Sequence, residues 1–221
     1  MKNKLFFSAL ALFALAIFGA TATFAQGNMN MGNTQMSGST DLQFLDMMTK
    51  HHSDGVKMAQ MGVDKAQNAG VKALAQKMAS GQQKDIAEMQ KIRDRHFSGQ
   101  PKQEMMMMKS GGMKMDSTRG GDMSMDMSKG GMTMEMMSKM AEEDMRKLEA
   151  ASGAEFDRVF LDVFTKHHQM ALDMSKEETS NGKNADTKKK AREIISVQTK
   201  ELGEINRLKK RVGAGNTRAG R

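Results

Sequence analysis

Residues 41–58 read DLQFLDMMTKHHSDGVKM, and 116 positions later residues 157–174 read DRVFLDVFTKHHQMALDM. Nine of these 18 positions are identical, among them Phe44/Phe160, Asp46/Asp162, Lys50/Lys166 and both members of each histidine pair. The same offset lays QQKDIAEM at 82–89 over QTKELGEI at 198–205. One supersecondary unit therefore occurs twice, and such a unit generally does not bury its apolar face alone.

Each copy reads as a helical hairpin. Phe44, Met48, Gly55, Met58 and Gly62 recur at helical spacing, with Leu45, Val56 and Val63 beside them. Asn68-Ala69-Gly70 marks a turn, because Asn and Gly tolerate left-handed backbone. Val71, Leu74, Met78, Met89 and Ile92 then trace a second helix to the region of His96. In the other copy the break falls at 179–186 and the returning helix runs to the region of Val212. Helices of about 25 residues span roughly 38 Å, and two such hairpins (41–97 and 154–212) make an all-α four-helix bundle.

The rest of the chain is of other material. Lys2 and Lys4 precede an apolar run and two small-residue cleavage sites, ending at Ala22 and Ala25, so 1–25 read as a signal peptide. That run is too short for a spanning helix, which needs about 20 residues, so no stable membrane anchor is expected. Residues 26–40 and 213–221 read as disordered tails, 98–136 as a flexible Met/Gly-rich crossover, and 137–152 as a short extra helix. Export implies an oxidising compartment, read as the periplasm.

Composition narrows the chemistry. With no Cys there is no disulfide, zinc finger, iron–sulfur cluster or thiol catalysis, and no lipidation site. The net charge of +8 falls to +6 once Lys2 and Lys4 are removed. With few aromatics and export, nucleic acid is not expected as a partner. The basic runs at 188–190 and 209–211 read as solvated faces, and Lys50 and Lys166 as surface partners of Asp46 and Asp162 at i, i+4.

Four of the five histidines are His51-His52 and His167-His168. Neighbours on a helix point about 100° apart, so one of each pair faces inward. The stripe Phe44–Met48–His51–Gly55–Met58 nominates His51, and Phe160–Phe164–His167–Ala171–Met174 nominates His167. On the facing helices Gln82, Asp85, Gln198 and Glu201 interrupt apolar stripes. Burying such groups unpaired costs several kcal/mol, so each needs a partner. Asp85 and Glu201 either hold the far nitrogen of a ligating imidazole or ligate directly. Buried His–acid pairs that merely tie helices together are the competing account.

Of the 27 methionines, 15 lie between Glu104 and Met145, including Met113, Met115, Met123, Met125, Met127, Met132, Met134 and Met136 at alternate positions. Among Gly, Ser, Lys and Asp they have no face to bury. Met48, Met78 and Met89, on helical stripes, read instead as core packing. Spaced thioethers suit a soft monovalent ion, Cu(I) or by the same softness Ag(I), with oxidant scavenging as the alternative use.

With HH on one helix and Gln-x-x-(Asp/Glu)-(Ile/Leu) on the next, twice, the chain resembles the ferritin-like family called domain of unknown function 305, over 41–97 and 137–211. The resemblance implies a ferritin-like bundle, periplasmic copper or silver handling in copper resistance, and ligation by His51, His52, His167, His168, Met58 and Met174. It departs at Thr49-Lys50, Thr165-Lys166 and Val163-Phe164, where a Met-containing lead-in to the histidines is usual in the family.

Three functions compete. The first is a copper protein that sequesters or passes on Cu(I), with Ag(I) or Cu(II) as other ions and a copper efflux or chaperone protein as the partner it implies. The second is a di-iron or di-manganese oxidase, which would need Glu-x-x-His motifs; none occurs, so an enzyme is not expected. The third is a metal-free helical interaction module with a Met-rich spacer. Whether the hairpins pair within one chain or in a homo-oligomer is left open by the sequence.

Overall fold

Each hairpin turn is built around an asparagine. The computed structural model describes residues 39–106 and 131–219, and among them are five helices: α1 (Thr40–Lys65), α2 (Ala69–His96), α3 (Met134–Ala150), α4 (Gly153–Asn181) and α5 (Ala185–Ala219). The Asn68 side chain accepts from the Gly70 and Val71 amides and caps α2. Its repeat mate Asn184 accepts from the Asp186 and Thr187 amides at the head of α5.

The two copies lock each other's turns. Buried Asp157, on α4, accepts from the Gln67 and Asn68 amides of the first turn at 3.1 and 2.9 Å. Its mate Asp41, on α1, accepts from the Lys183 and Asn184 amides of the second turn at 2.7–3.1 Å. The hairpins thus pair within one chain, α1 against α4, by a reciprocal exchange of caps. Removing Asp157 would leave the part-buried Gln67 and Asn68 amides without their acceptor and break the tie between the copies, at a cost of about 1–3 kcal/mol. Asp157→Ala is therefore expected to lower the urea midpoint clearly, with the helical circular dichroism unchanged before the transition.

Within each hairpin a second repeated tie replaces the expected surface pairs. Asp46 is buried and binds Arg93 at 2.6 Å, while Asp162 binds Lys209, the residue that corresponds to Arg93, also at 2.6 Å. Lys50 pairs with Asp54 instead of Asp46. The reason is direction: position 46 points at α2, so its carboxylate finds a cross-helix partner.

Two apolar clusters fill the bundle. One contains Phe156, Phe160, Phe164, Met58, Leu74, Met78 and Ile205. The other is rich in methionine, with Met47, Met48, Met89, Met132, Met137, Met170 and Met174 around Phe44 and Leu45. At Gly62 the helices approach closely: a Cβ there would lie 2.3 Å from the Phe160 ring and 2.8 Å from Ala75.

The crossover differs from its sequence reading. β1 (Met105–Met106) pairs antiparallel with β2 (Met132–Thr133), and α3 starts at Met134, three residues early. Thr133 caps α3 by accepting from the Met136 amide. Met132 is buried, and Met134 and Met136 pack on the methionine cluster, so these three do have a face to bury. The strand pairing and the cap fix the backbone that turns them inward. At the other end α4 continues to Asn181 and α5 to Ala219, past the expected break and tail. The signal peptide and Met113, Met115, Met123, Met125 and Met127 lie outside the described residues.

The copies are unequal inside. Ser175, Glu178, Thr187 and Lys190 are all buried, where the first copy has Ala59, Gly62, Val71 and Leu74. Lys190, the last residue of an expected solvated run, is 4% exposed.

Candidate metal centre

A polar layer divides the two apolar clusters. Along α1 the chain leaves the methionine cluster at Met48 and enters the phenylalanine cluster at Met58, with His51 and His52 between them. Along α4 it passes the other way, from Phe164 to Met170, across His167 and His168. Gln82 and Asp85 on α2, and Gln198 and Glu201 on α5, fall in the same interval.

All four histidines are buried, so neither pair splits into an inward and a flanking member. The His51 and His167 rings stack, centroids 3.8 Å apart, joining the two copies. Gly55 makes room for this: a Cβ there would lie 2.6 Å from the His167 ring and 2.1 Å from Gln82 Oε1. The glycine therefore serves the histidine of the other copy and not its own neighbour one turn back. The carboxylates attend the second histidine of each pair. His168 Nε2 donates to Glu201 Oε2 at 3.0 Å, and His52 Nε2 lies 3.3 Å from Asp85 Oδ2 without hydrogen-bond geometry. His167 Nε2 donates to the His51 carbonyl at 3.1 Å.

Burial, and next the neighbouring His167, hold His51 well below the usual imidazole range. Burial and then His168 do the same to His167. For His52, burial lowers the pKa and Asp85 only partly restores it. Burial pushes the Asp85 carboxyl up, but His52 and Lys190 more than offset this and leave it lowered. His51, His52 and His167 are thus held towards the neutral imidazole, the form that binds metal.

Each of the four imidazoles has an Nδ1 that is buried without a hydrogen-bond partner, as are both polar atoms of Gln82 and Oε1 of Gln198. Unpaired buried nitrogens are costly, and an Nε2–H engaged with oxygen leaves the Nδ1 lone pair open to an ion. The donor set therefore fits a soft or borderline metal. No group of three or more His, Asp or Glu residues poised around one point occurs among the described residues, so nitrogen and oxygen donors alone do not close a site.

Sulfur supplies the other donors near the layer, though not as expected. Met58 and Met174, two turns beyond His51 and His167, lie in different clusters because α1 and α4 cross the layer in opposite directions. The structure does not bring them together. Instead Met47, Met48, Met170 and Met174 all belong to the methionine cluster that α1 leaves and α4 enters across the layer. Met47 and Met170 carry no signal in the sequence beyond lying within four residues of an HH pair.

The chain matches known proteins in structure as well as in sequence pattern. A fragment of a DUF305 protein from Deinococcus radiodurans superposes with a TM-score of 0.59 at 20% identity, covering 79% of this chain and 98% of the fragment. CopM in its Cu(II)-bound form gives 0.56 at 26% identity, over 77% and 96% of the two chains. Its Cu(I)-bound form gives 0.54 at 26%, over 77% and 95%, and silver-bound forms of CopM match too. No curated protein sequence matches the chain. Residues 41–209, which hold both hairpins and the whole histidine layer, match the family described as Domain of unknown function (DUF305), and the chain belongs to that family.

Proposed function

We propose that this protein binds soft copper, Cu(I) foremost and Ag(I) by the same chemistry, in the periplasm, where it sequesters the ion or passes it on in copper tolerance. It acts as a binding protein and not as an enzyme. The observation that carries this reading is the buried layer of four imidazoles whose Nδ1 atoms are all unpaired, next to a methionine-rich cluster. CopM, a neighbour of the same fold, is known in Cu(I)-, Cu(II)- and silver-bound forms. Where thioether and imidazole donors meet in a dry interior, a monovalent ion adds little charge to bury, which favours Cu(I) over a divalent ion. No described helix is long and apolar enough to cross a membrane.

Two measurements test this. Anaerobic Cu(I) titration against a chromophoric chelator is expected to show binding by the intact protein, and no binding ends the proposal. Silver is expected to raise the unfolding midpoint, since a ligand at 100 times its Kd stabilises the native state by about 2.7 kcal/mol. An unchanged midpoint favours the metal-free module instead. Deleting residues 107–130 is expected to lower total Cu(I) capacity and leave the silver-induced stabilisation of the bundle, which separates the Met-rich crossover from the histidine layer.

A further inference from the structure

The two halves of the histidine layer are built from repeated residues, so each half serves as the other's control. They differ at one place above all. In the second copy a lysine stands where the first has buried Leu74, and its ammonium group reaches across to the other hairpin. Lys190 Nζ lies 2.6 Å from Asp85 Oδ1, also binds Glu88, and is 3.8 Å from Glu193. Asp85 is the carboxylate that faces His52, and it does so at 3.3 Å without hydrogen-bond geometry. In the other half Glu201 accepts a hydrogen bond from His168 at 3.0 Å. The nearest lysine there, Lys77, is 3.9 Å from Glu201, and its side chain is 53% exposed against 5% for Lys190.

Lys190 also floors a cleft of about 290 Å³ between α2 and α5, whose walls include Glu88, Arg95, Asp186 and Glu193. Lys190 lines this cleft and binds Asp85, which in turn faces His52. An ion reaching His52 from this cleft meets a buried positive charge that already holds the carboxylate it would use. Charge-assisted pairs of this kind are the strong ones, and Glu88 and Glu193 on the rim offer the ammonium a place to go when displaced.

We propose that Lys190 is a positioning residue that withholds Asp85 from the first half of the layer, so that a soft cation fills the His168–Glu201 half first and reaches His52 only by displacing the lysine. This rests on the histidine layer being the soft-metal site.

Silver is the probe, because Ag(I) is diamagnetic and the imidazole nitrogens can be followed by NMR in the full-length protein. In the native protein, resonances of His168 are expected to shift before those of His52, with apparent affinities roughly ten- to hundredfold apart, the range of one charge-assisted bond. Lys190→Met, and Lys190→Leu as the first copy has it, are expected to bring the two transitions together, while Lys190→Arg restores the order. Lys77→Met is expected to leave the order unchanged. If His52 responds with or before His168 in the native protein, the inference is overturned whatever the variants do. It is also overturned if folded Lys190→Met keeps the native order. If no histidine responds to silver, the function proposed above fails together with it.

Discussion

Gly55→Ala is expected to cripple the histidine layer although it adds a single methyl group. On a helix interior, Gly to Ala ordinarily stabilises by roughly 0.5–1 kcal/mol, because glycine loses more freedom on folding. Gly81, on exposed α2 surface with no atom within 4 Å of where a Cβ would sit, is expected to show that gain. At Gly55 the same methyl would lie 2.1 Å from Gln82 Oε1 and 2.6 Å from the His167 ring, and both neighbours are buried. His167 is fixed by its stack on His51 and its bond to the His51 carbonyl, so it does not simply swing away. Overpacking of this kind costs ~1–3 kcal/mol, which outweighs the helix gain. The measurement is a pair of urea curves and silver titrations. Gly81→Ala should move the midpoint up with silver affinity unchanged, and Gly55→Ala should move it down with affinity reduced at least about tenfold, 1.4 kcal/mol of misplacement being enough. A Gly55→Ala protein that binds silver normally would show that the His51–His167 stack is not part of the site.

The second large effect is a pH dependence carried by Glu178. Its carboxyl is buried where the first copy has Gly62, folded over Gly182, with no hydrogen-bond donor to either oxygen. Burial, and next the Asp41 carboxylate beside it, push its pKa up from 4.5 to about 9; Glu177 adds to this and Lys188 opposes it. Asp41 itself accepts from two amides of the second turn, so the arrangement is an acid and a carboxylate in contact. Between pH 4.5 and 9 the folded chain holds a proton that the unfolded chain releases. Stability from this group is therefore fully present below about pH 4.5 and is lost as pH rises through about 9, with a slope of up to ~1.4 kcal/mol per pH unit. Glu178→Gln keeps the shape, gives Asp41 a permanent amide donor and removes the proton. At about pH 8 the variant is expected to be more stable than the native protein by on the order of a few kcal/mol, and near pH 4.5 the two should converge. Urea midpoints at both pH values decide it; a constant difference would place the effect in packing instead.

Much of the fold was legible in the residues. The 116-residue repeat implied two hairpins, and Asn68-Ala69-Gly70 marked the first turn because its side chain is a cap whatever the neighbours do. Gln82, Asp85, Gln198 and Glu201 stood out as polar groups on apolar stripes, and they do lie in one layer with the histidines. What misled was local context. Residues 188–190 read as a solvated run, yet Lys190 is buried because three carboxylates of α2 and α5 surround its end. Met132, Met134 and Met136 read as linker ligands because no helical period reaches them, and a two-residue strand pairing set their direction.

The sequence by itself determined the helices, the doubled unit and the identity of the donors, because periodicity and capping are properties of one helix and its turn. Tertiary structure decided which donors meet. His51 found His167 in the opposite copy because Gly55 lacks a side chain at the crossing. Met58 and Met174 were separated because equivalent positions on oppositely directed helices lead to opposite ends of the bundle. Those outcomes depend on the distance and direction between helices, which no spacing along one chain segment encodes.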